Sequence, residues 1–500
     1  MGAPTAFSSI SFRHSLKVTA STFLFLTFTS AGLLAQADNH DAAEPAAVVE
    51  RTVRPGVETP LVIQTFPKAV CSLYGGKTDK SQKPLRLDAD DAGMIRVHAR
   101  PGNHSGPAEV HLECRAEDGS VKKYLVHVTA SETASNSLDA SQPEMRVQGE
   151  LRPAFANEAL SLSNEELQRR GYPPRPDREK TPALYAYWLK IVSHSFTAVN
   201  PRLVARPDRS PTLPLPPPVA SGPRPALSPT LPLPPPSSKA SNHKIVADNV
   251  VTGQFSNWSG AELLNPPTRY WQIQGEWLLP EVRTNTPNIE YSAAAEWVGL
   301  DSGANDLVQS GSDSESYFIW DPFGDYWVFT DYYLWIESLP DAPYDLPNFP
   351  VSPVDDIQVA IFLADQYGTT TFSDTGDLTP ADNNVWFMIY DLTSEQSYWG
   401  TLPRRDSFTG STAEFIVERP NSPPVPLANY FITQMENCWF SDTWAGQSTL
   451  DYNGYGPLFG TLDTITMVNP DDGLTLSDSH VSTYDSNGGG TVWFVWRNYY

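Results

Sequence analysis

From about residue 246 to residue 500, the sequence consists of short β-type runs and contains no long segment with helical periodicity. Trp, Tyr, Thr, Val and Ile dominate these runs, and Gly, Asp, Asn and Pro separate them. β-Branched and aromatic residues favour strands, whereas an amphipathic helix would repeat its apolar positions about every three to four residues. The pattern predicts an all-β domain over 246–500, built as two antiparallel sheets packed face to face.

A duplicated proline-rich segment separates this C-terminal domain from the rest of the chain. The sequence of Ser210–Pro218 recurs unchanged as Ser228–Pro236. Such text favours an extended polyproline conformation that buries no core. We predict a linker over residues 209–245, which serves either as a plain tether or as a place for proteolytic release of the preceding part.

Two further regions precede the linker. Residues 38–130 alternate apolar and polar in short runs, which predicts a small β-sandwich, immunoglobulin-like in type, pinned by a Cys71–Cys114 disulfide. Residues 131–208 are predicted to be partly helical, with one helix starting near Ser163 and another over 181–192. The third cysteine, Cys438, has no partner in the C-terminal domain and is predicted to be a buried thiol.

The first 37 residues have the pattern of an export signal. A basic start is followed by a mainly apolar stretch and by Ala35-Gln-Ala37, a typical cleavage site. An uncleaved membrane anchor is the alternative, although Thr and Ser interrupt the apolar stretch. We expect a secreted or periplasmic protein, monomeric and off the membrane once the signal is removed.

Charge is divided unevenly between the two halves. Residues 241–500 hold 35 acidic and 7 basic residues, whereas the first 240 hold 23 acidic and 27 basic residues. A basic first half could pair with the acidic domain and separate from it when carboxylates protonate, or the acidity could serve solubility alone. In either case nucleic acid is excluded as a partner of so acidic a domain.

Several catalytic classes lack their residues in the C-terminal domain. Its histidines are His243, at the edge, and His480, which has no nucleophile motif beside it. There is no zinc-type spacing and no Gly-rich phosphate loop, so no metal or cofactor is predicted. Carboxylates, amides and aromatics remain as the groups available for chemistry.

Strand alternation brings those groups to shared faces, because residues two apart in a strand point to the same side. If the strands are neighbours, one sheet face becomes an aromatic surface with acids and an amide. The same-face sets are Glu414, Ile416 and Glu418; Asp331, Tyr333, Trp335 and Glu337; Trp297, Gly299 and Asp301; and Gln309, Gly311 and Asp313.

An ordered set of motifs over roughly residues 255–485 resembles the glutamic peptidase (eqolisin) family. The motifs are Asn257-Trp-Ser-Gly-Ala261, Gly275-Glu-Trp-Leu-Leu-Pro280, Trp297-Val-Gly-Leu-Asp301, Gln309-Ser-Gly311, Trp335-Ile-Glu337, Ala413-Glu-Phe-Ile-Val-Glu418 and Val425-Pro-Leu-Ala-Asn429. The resemblance implies a concanavalin-like β-sandwich that cleaves polypeptides at acid pH. It also implies that the preceding region includes a prosegment, which could inhibit the enzyme.

The resemblance assigns roles to individual residues. Glu418 becomes the general acid and base, and Gln309 positions water and stabilises the oxyanion. The remaining residues support the pair or line the substrate cleft; they are Asp301, Glu337, Trp297, Trp335, Tyr333, Glu414 and Trp258. Tyr333 departs from the pattern, because some members have an aspartate there, and Ser312 replaces an apolar residue.

Two other functions are compatible with an aromatic, acidic cleft. Glu337 and Glu418 could act as the carboxylate pair of a glycoside hydrolase. Alternatively, the domain could be a non-catalytic carbohydrate-binding β-sandwich whose acids hold calcium. Replacing Gln309 separates these from a peptidase, because neither alternative gives that residue a chemical role.

Overall fold

The computed structural model covers the 500-residue chain, and residues 45–500 form one compact unit. The described residues are 47–75, 84–102, 106–131, 149–152, 156–169, 175, 178, 182–199, 202–206, 250–266, 269–283, 289–301, 306–320, 326–364, 383–405, 407–420, 424–442, 446–449, 461–482 and 490–500. The predicted signal peptide (1–37) and the whole of the predicted linker (209–245) lie outside them, so those boundaries stay predictions. No helix in the described part is long and apolar enough to cross a membrane.

Seven strands lie in the described part of the N-terminal β-domain. They are β1 (Ala47–Val53), β2 (Thr59–Gln64), β3 (Val70–Gly75), β4 (Leu85–Asp88), β5 (Met94–Pro101), β6 (Ala108–Arg115) and β7 (Val121–Ala130). Five of them make a sheet in the order β1-β7-β6-β3-β4, while β2 and β5 pair with each other. A disulfide joins Cys71 on β3 to Cys114, directly opposite on β6. An immunoglobulin-like arrangement is not confirmed, because β5 also pairs with a strand of the C-terminal domain.

The next region contains the helices, as its sequence predicts. Its elements are β8 (Gly149–Arg152), α1 (Ala156–Ala159), α2 (Asn164–Arg169), α3 (Pro182–Val192), β9 (Phe196–Val199) and β10 (Val204–Ala205). Ser163 and Glu166 form a capping box at the start of α2: each backbone N–H bonds to the other's side chain, at 3.0 and 3.2 Å. Pro182 opens α3, where its missing N–H costs nothing.

Sixteen strands lie in the described part of the C-terminal domain. They are β11 (Val250–Phe255), β12 (Trp258–Leu264), β13 (Tyr270–Leu278), β14 (Tyr291–Leu300), β15 (Val308–Trp320), β16 (Tyr326–Ser338), β17 (Tyr344–Asp345), β18 (Asp356–Ala364), β19 (Asn384–Asp391), β20 (Gln396–Pro403), β21 (Thr412–Glu418), β22 (Ile432–Asp442), β23 (Gly446–Thr449), β24 (Thr461–Val468), β25 (Thr475–Ser482) and β26 (Gly490–Trp496).

These strands form the predicted two-layer β-sandwich. One layer runs β12-β21-β14-β15-β16-β17, and the other includes β20-β19-β18-β13-β22-β26. A buried apolar cluster drawn from both layers, with members such as Val298, Phe387 and Phe415, fills the space between them. The all-β prediction is confirmed. The face of the first layer that points away from this core carries a different set of residues.

Candidate active site

The first layer places the two residues of the predicted catalytic pair on neighbouring parts of one face. Glu418 ends β21, where it lies between Trp258 on β12 and Ala295 on β14. Gln309, near the start of β15, lies between Gly299 on β14 and Glu337 on β16. Because Ala295 and Gly299 are four residues apart on one strand, they share a face. Glu418 and Gln309 therefore lie diagonally across β14 on that face.

Two side-chain N–H groups orient the carboxylate of Glu418. The indole Nε1 of Trp297 donates to Oε2 at 2.8 Å, and Nδ2 of Asn257 donates to Oε1 at 3.3 Å. Trp297 in turn packs edge-on against Trp258, with 4.9 Å between ring centroids. The sequence analysis did not single out Asn257 as a site residue, although it opens the first motif, beside Trp258.

Gln309 is held by the strand next to it. Its Nε2 donates to Oε2 of Glu337, and both side chains are buried. The carbonyl oxygen Oε1 of Gln309 is also buried and has no hydrogen-bond partner among the described residues. An unsatisfied buried acceptor is costly, so this oxygen is suited to receive a hydrogen bond from a bound molecule.

Two glycines of the motifs make room for the indole of Trp297. A Cβ added at Gly311 would lie 2.6 Å from the Cβ of Trp297, and one at Gly299 would lie 2.8 Å from its ring. The Cβ at Gly311 would also lie 2.0 Å from the backbone oxygen of Glu296 and would displace backbone, whereas the Cβ at Gly299 would displace the indole ring. The glycines after Trp297 and Gln309 therefore fix the tryptophan that orients Glu418.

Aromatic side chains form the rest of this face. They belong to an apolar cluster separate from the core between the layers, and its members include Trp258, Trp297, Tyr333, Trp335 and Ile416. Nε1 of Trp335 is buried and has no partner among the described residues. The predicted cleft residues are thus brought together on one surface.

Asp301 contacts a loop next to Glu418's strand. Its carboxylate accepts hydrogen bonds from the backbone N–H groups of Thr409 (2.6 Å), Gly410 (3.0 Å) and Ser411 (2.6 Å). These residues lead directly into β21, the strand of Glu418. The structure therefore places Asp301 where it supports the catalytic strand, while its predicted role in orienting the pair itself stays a prediction.

Glu414 lies on the same face as Glu418, four residues earlier on β21. It is fully buried, and burial raises its pKa well above the ordinary range, with nearby Glu262 raising it further. A carboxyl group in this setting stays neutral over a wide pH range. It therefore adds no negative charge to the face that carries Glu418.

Tyr333 lies at the end of the aromatic face that borders the N-terminal half. Its hydroxyl donates to Oε1 of Glu315 at 2.9 Å, and the guanidinium of Arg206 lies over its ring, 5.5 Å from the centroid. Arg206 also forms buried ion pairs with Asp345 and, at 3.7 Å, with Asp88. The sequence analysis missed Arg206, because nothing in the surrounding sequence distinguishes it from other arginines.

No group of three or more His, Cys, Asp or Glu residues in the described part could hold a metal ion. The carboxylate of Glu418 lies instead beside the N–H donors of Trp297 and Asn257, and that of Asp345 lies beside Arg206. The groups available for chemistry on this face are the carboxylate of Glu418, the amide of Gln309 and the N–H groups of Trp297 and Asn257.

Comparisons with known proteins bear on the C-terminal domain. Residues 256–482 match the model of the Peptidase A4 family. Similar solved structures include scytalido-glutamic peptidase with a transition-state analogue inhibitor, at 20% identity and a TM-score of 0.34, and the same peptidase with a peptide-based analogue, at 18% and 0.34. SCP-B, an eqolisin solved with the tripeptide Ala-Ile-His, gives 18% and 0.32. Each alignment covers 48% of this chain and 98% of the other.

No curated protein matches the chain. The family match spans the strands that carry Trp258, Trp297, Gln309, Glu337 and Glu418. It favours a peptidase over the glycoside hydrolase and the carbohydrate-binding module that the sequence left open. Residues 256–482 of this chain therefore belong to the Peptidase A4 family, the glutamic-type peptidases also called eqolisins.

Proposed function

We propose that the chain is a secreted or periplasmic endopeptidase, active at acid pH, in which Glu418 and Gln309 are the catalytic pair. The observation that carries the proposal is the pairing on one face of an oriented carboxylate with a buried amide whose carbonyl oxygen has no partner among the described residues. No metal or cofactor is required for the reaction that follows.

Glu418 acts first as a general base and then as a general acid. It takes a proton from a water molecule as the water oxygen bonds to the scissile carbonyl carbon. It then gives that proton to the amide nitrogen as the C–N bond breaks, so that a carboxylic acid and an amine leave. General acid–base catalysis of this kind typically contributes about 10²–10⁴-fold. Trp297 and Asn257 hold the carboxylate in position through these steps.

Gln309 positions the attacking water and stabilises the oxyanion. Its Oε1 accepts a hydrogen bond from the attacking water. Its Nε2 carries two N–H groups, one of which donates to Glu337, and the second can donate to the oxyanion. Losing one oxyanion donor typically costs about 10²–10³-fold in rate. Glu337 is then a positioning residue, because it fixes the plane of the amide.

We further propose that residues 131–208 act as an inhibitory prosegment. In the full chain Glu418 exposes 1% of its surface and Gln309 0%, so the pair is closed off from solvent. Residues 202–206, at the end of this region, pair with β17 and deliver Arg206 to the rim of the aromatic face. If the isolated segment 131–208 neither binds nor inhibits the processed enzyme near pH 7, this part of the proposal is wrong.

The catalytic proposal is tested by cleavage of a denatured protein from about pH 3 to pH 8, with a pepsin-type inhibitor and a chelator present. Wild type, processed within residues 210–236, is expected to cleave only at acid pH and to resist both reagents. Glu418→Gln and Gln309→Ala should each lose at least about 100-fold in rate. Exposed Glu395→Gln is the matched control and should behave as wild type. Full activity in either of the first two variants would rule out the assigned pair.

A further inference from the structure

Two long strands join the candidate active site to the N-terminal β-domain. Strands β15 and β16 have 13 residues each and pair along their whole length without a register shift. Gln309 lies at one end of β15 and Glu337 at the paired end of β16. The opposite ends of both strands extend away from the catalytic pair.

Those far ends are part of the core of the N-terminal β-domain. Tyr317, Ile319, Trp327 and Phe329 belong to one buried cluster together with Leu61, Val97 and other N-terminal side chains. Trp327 and Phe329 expose 0% of their surface. Aromatic side chains of this kind bury about 150–250 Å² each, so the two domains share one hydrophobic core at this junction.

Hydrogen bonds reinforce the shared core. Strand β5 pairs antiparallel with β16 from Trp327↔Pro101 to Thr330↔His98. The indole of Trp327 donates to the carbonyl of Gly106 at 3.1 Å, and the N–H of Gly75 bonds to the hydroxyl of Tyr317 at 3.3 Å. Gly75 lies so close to the side chain of Ile319 that a Cβ on Gly75 would lie 2.8 Å from its Cγ2.

The position of this junction follows from strand alternation. Tyr317 and Ile319 have the same parity as Gln309, and Trp327 and Phe329 have the same parity as Glu337, so all six share one face. The N-terminal β-domain therefore covers the far end of the face on which the catalytic pair lies. Without it, a contiguous patch of large apolar side chains would be left in water, which soluble proteins rarely tolerate.

We propose that the N-terminal β-domain, residues 47–130, is a permanent end wall of the substrate cleft, and that it stays bound to the C-terminal domain after the chain is cut between them. The mature protein would then consist of two chains held without a covalent link, because the disulfide lies within the β-domain and Cys438 is buried outside any disulfide. That the covered face is the substrate cleft rests on the proposed function, whereas the retention of the β-domain after cutting does not.

The test uses the full chain, folded first and cut afterwards. Recognition sites for a specific protease are inserted in residues 132–148 and 210–236, on either side of the proposed prosegment. After cutting, the mixture is diluted and analysed by size-exclusion chromatography at pH 4 and pH 7.5. We expect the β-domain and the C-terminal domain to elute together at both pH values. Elution of either fragment alone or as an aggregate, at either pH, would overturn the proposal.

Two variants show whether the shared core is what holds the fragments. Ile319→Asp places a charge in the core and is expected to separate them after cutting. Gly75→Ala adds a methyl group at the junction and forces it apart by a smaller amount. It is expected to speed dissociation of the two fragments about tenfold. This variant keeps the proposal testable even if Ile319→Asp does not fold. Wild-type retention in Gly75→Ala would contradict the proposal, because the close contact would then contribute nothing.

Discussion

Two of the places where the N-terminal half contacts the C-terminal domain differ in chemistry. The first is the junction of the β-domain with β15 and β16, where buried aromatics such as Trp327 and paired strands form a common core. The second is segment 202–206, which adds only two residue pairs to β17 and is anchored by the ion pairs of Arg206 with Asp345 and Asp88. The first contact rests on apolar burial and the second on charge.

This difference predicts how each contact responds to acid. Apolar burial does not change when carboxyl groups protonate, so the junction persists. An ion pair loses its attraction once its carboxylate is neutral, so acid weakens the hold on Arg206. Nearby Asp331 already favours the neutral form, since burial, and then Glu315, raise its pKa well above the ordinary range. Acid therefore weakens the docking of segment 202–206, while apolar contacts keep their strength, both at the junction and where Ile191 and Phe196 pack against the C-terminal domain.

The largest effect is expected at the junction. Trp327→Ala should lower the free energy of unfolding by about 3–5 kcal/mol, because it opens a cavity in the core that the two domains share. Denaturant unfolding is followed separately by probes in the β-domain and in the C-terminal domain, and both transitions should shift together.

Half-buried Trp399 on β20 provides the matched control, and Trp399→Ala should cost less. If Trp327→Ala shifted the β-domain transition and left the C-terminal transition in place, the two domains would not share a core.

A smaller effect is expected at segment 202–206. Arg206→Ala leaves two buried carboxylates without their cation, which should weaken docking of the segment by about 3 kcal/mol near pH 7 and by less at acid pH. The measurement is hydrogen exchange of the Arg206 amide, which donates to the carbonyl of Pro343 at 2.9 Å.

Arg202→Ala is the control from the same segment. Arg202 binds backbone carbonyls of Lys68 and Ala89, which belong to the β-domain, and its ion pair with Glu117, at 3.6 Å, involves a carboxylate side chain that is 73% exposed. An ion pair this exposed contributes little, so the loss of Arg202 should depend less on pH than the loss of Arg206. Equal and pH-independent effects of the two variants would show that charge does not distinguish the second contact from the first.

The sequence predicted the parts of this comparison that depend on local pattern. The helix start near Ser163 and the helix over 181–192, observed as Pro182–Val192, follow from residue type and spacing. The shared face of Trp297, Gln309, Glu337 and Glu418 follows from strand alternation on the condition that the four strands are neighbours, which they are in the structure.

The junction and Arg206 could not be predicted in this way. The pairing of His98 with Thr330 joins residues far apart in sequence, and an alternating strand shows which face is apolar without showing what covers it. Asp301 is similar: its positive φ of 63° and its bonds to the loop at 409–411 depend on a turn chemistry that motif matching does not reveal.

The smallest expected effect concerns two titrating groups at the junction. Glu58 accepts hydrogen bonds from the hydroxyls of Thr330 and Tyr332, and burial raises its pKa to about 7, with Arg100 and Glu281 acting in opposite directions. Between the ordinary value of 4.5 and 7 the folded state keeps a proton that the unfolded chain releases. Stability from Glu58 is therefore full below pH 4.5 and falls as pH rises, by about 1.4 kcal/mol per pH unit.

His98 has the opposite sign. Burial, and then Arg96, lower its pKa from 6.5 to about 3, so the unfolded chain binds the extra proton between these values and stability rises with pH. From pH 4.5 to 6.5 the two contributions offset, which keeps the junction nearly insensitive to acid. Glu58→Gln should therefore raise the slope of unfolding free energy against pH by about 1.4 kcal/mol per unit in that range, and His98→Gln should lower it. Parallel profiles for wild type and both variants would mean that the junction owes its acid tolerance to apolar burial alone.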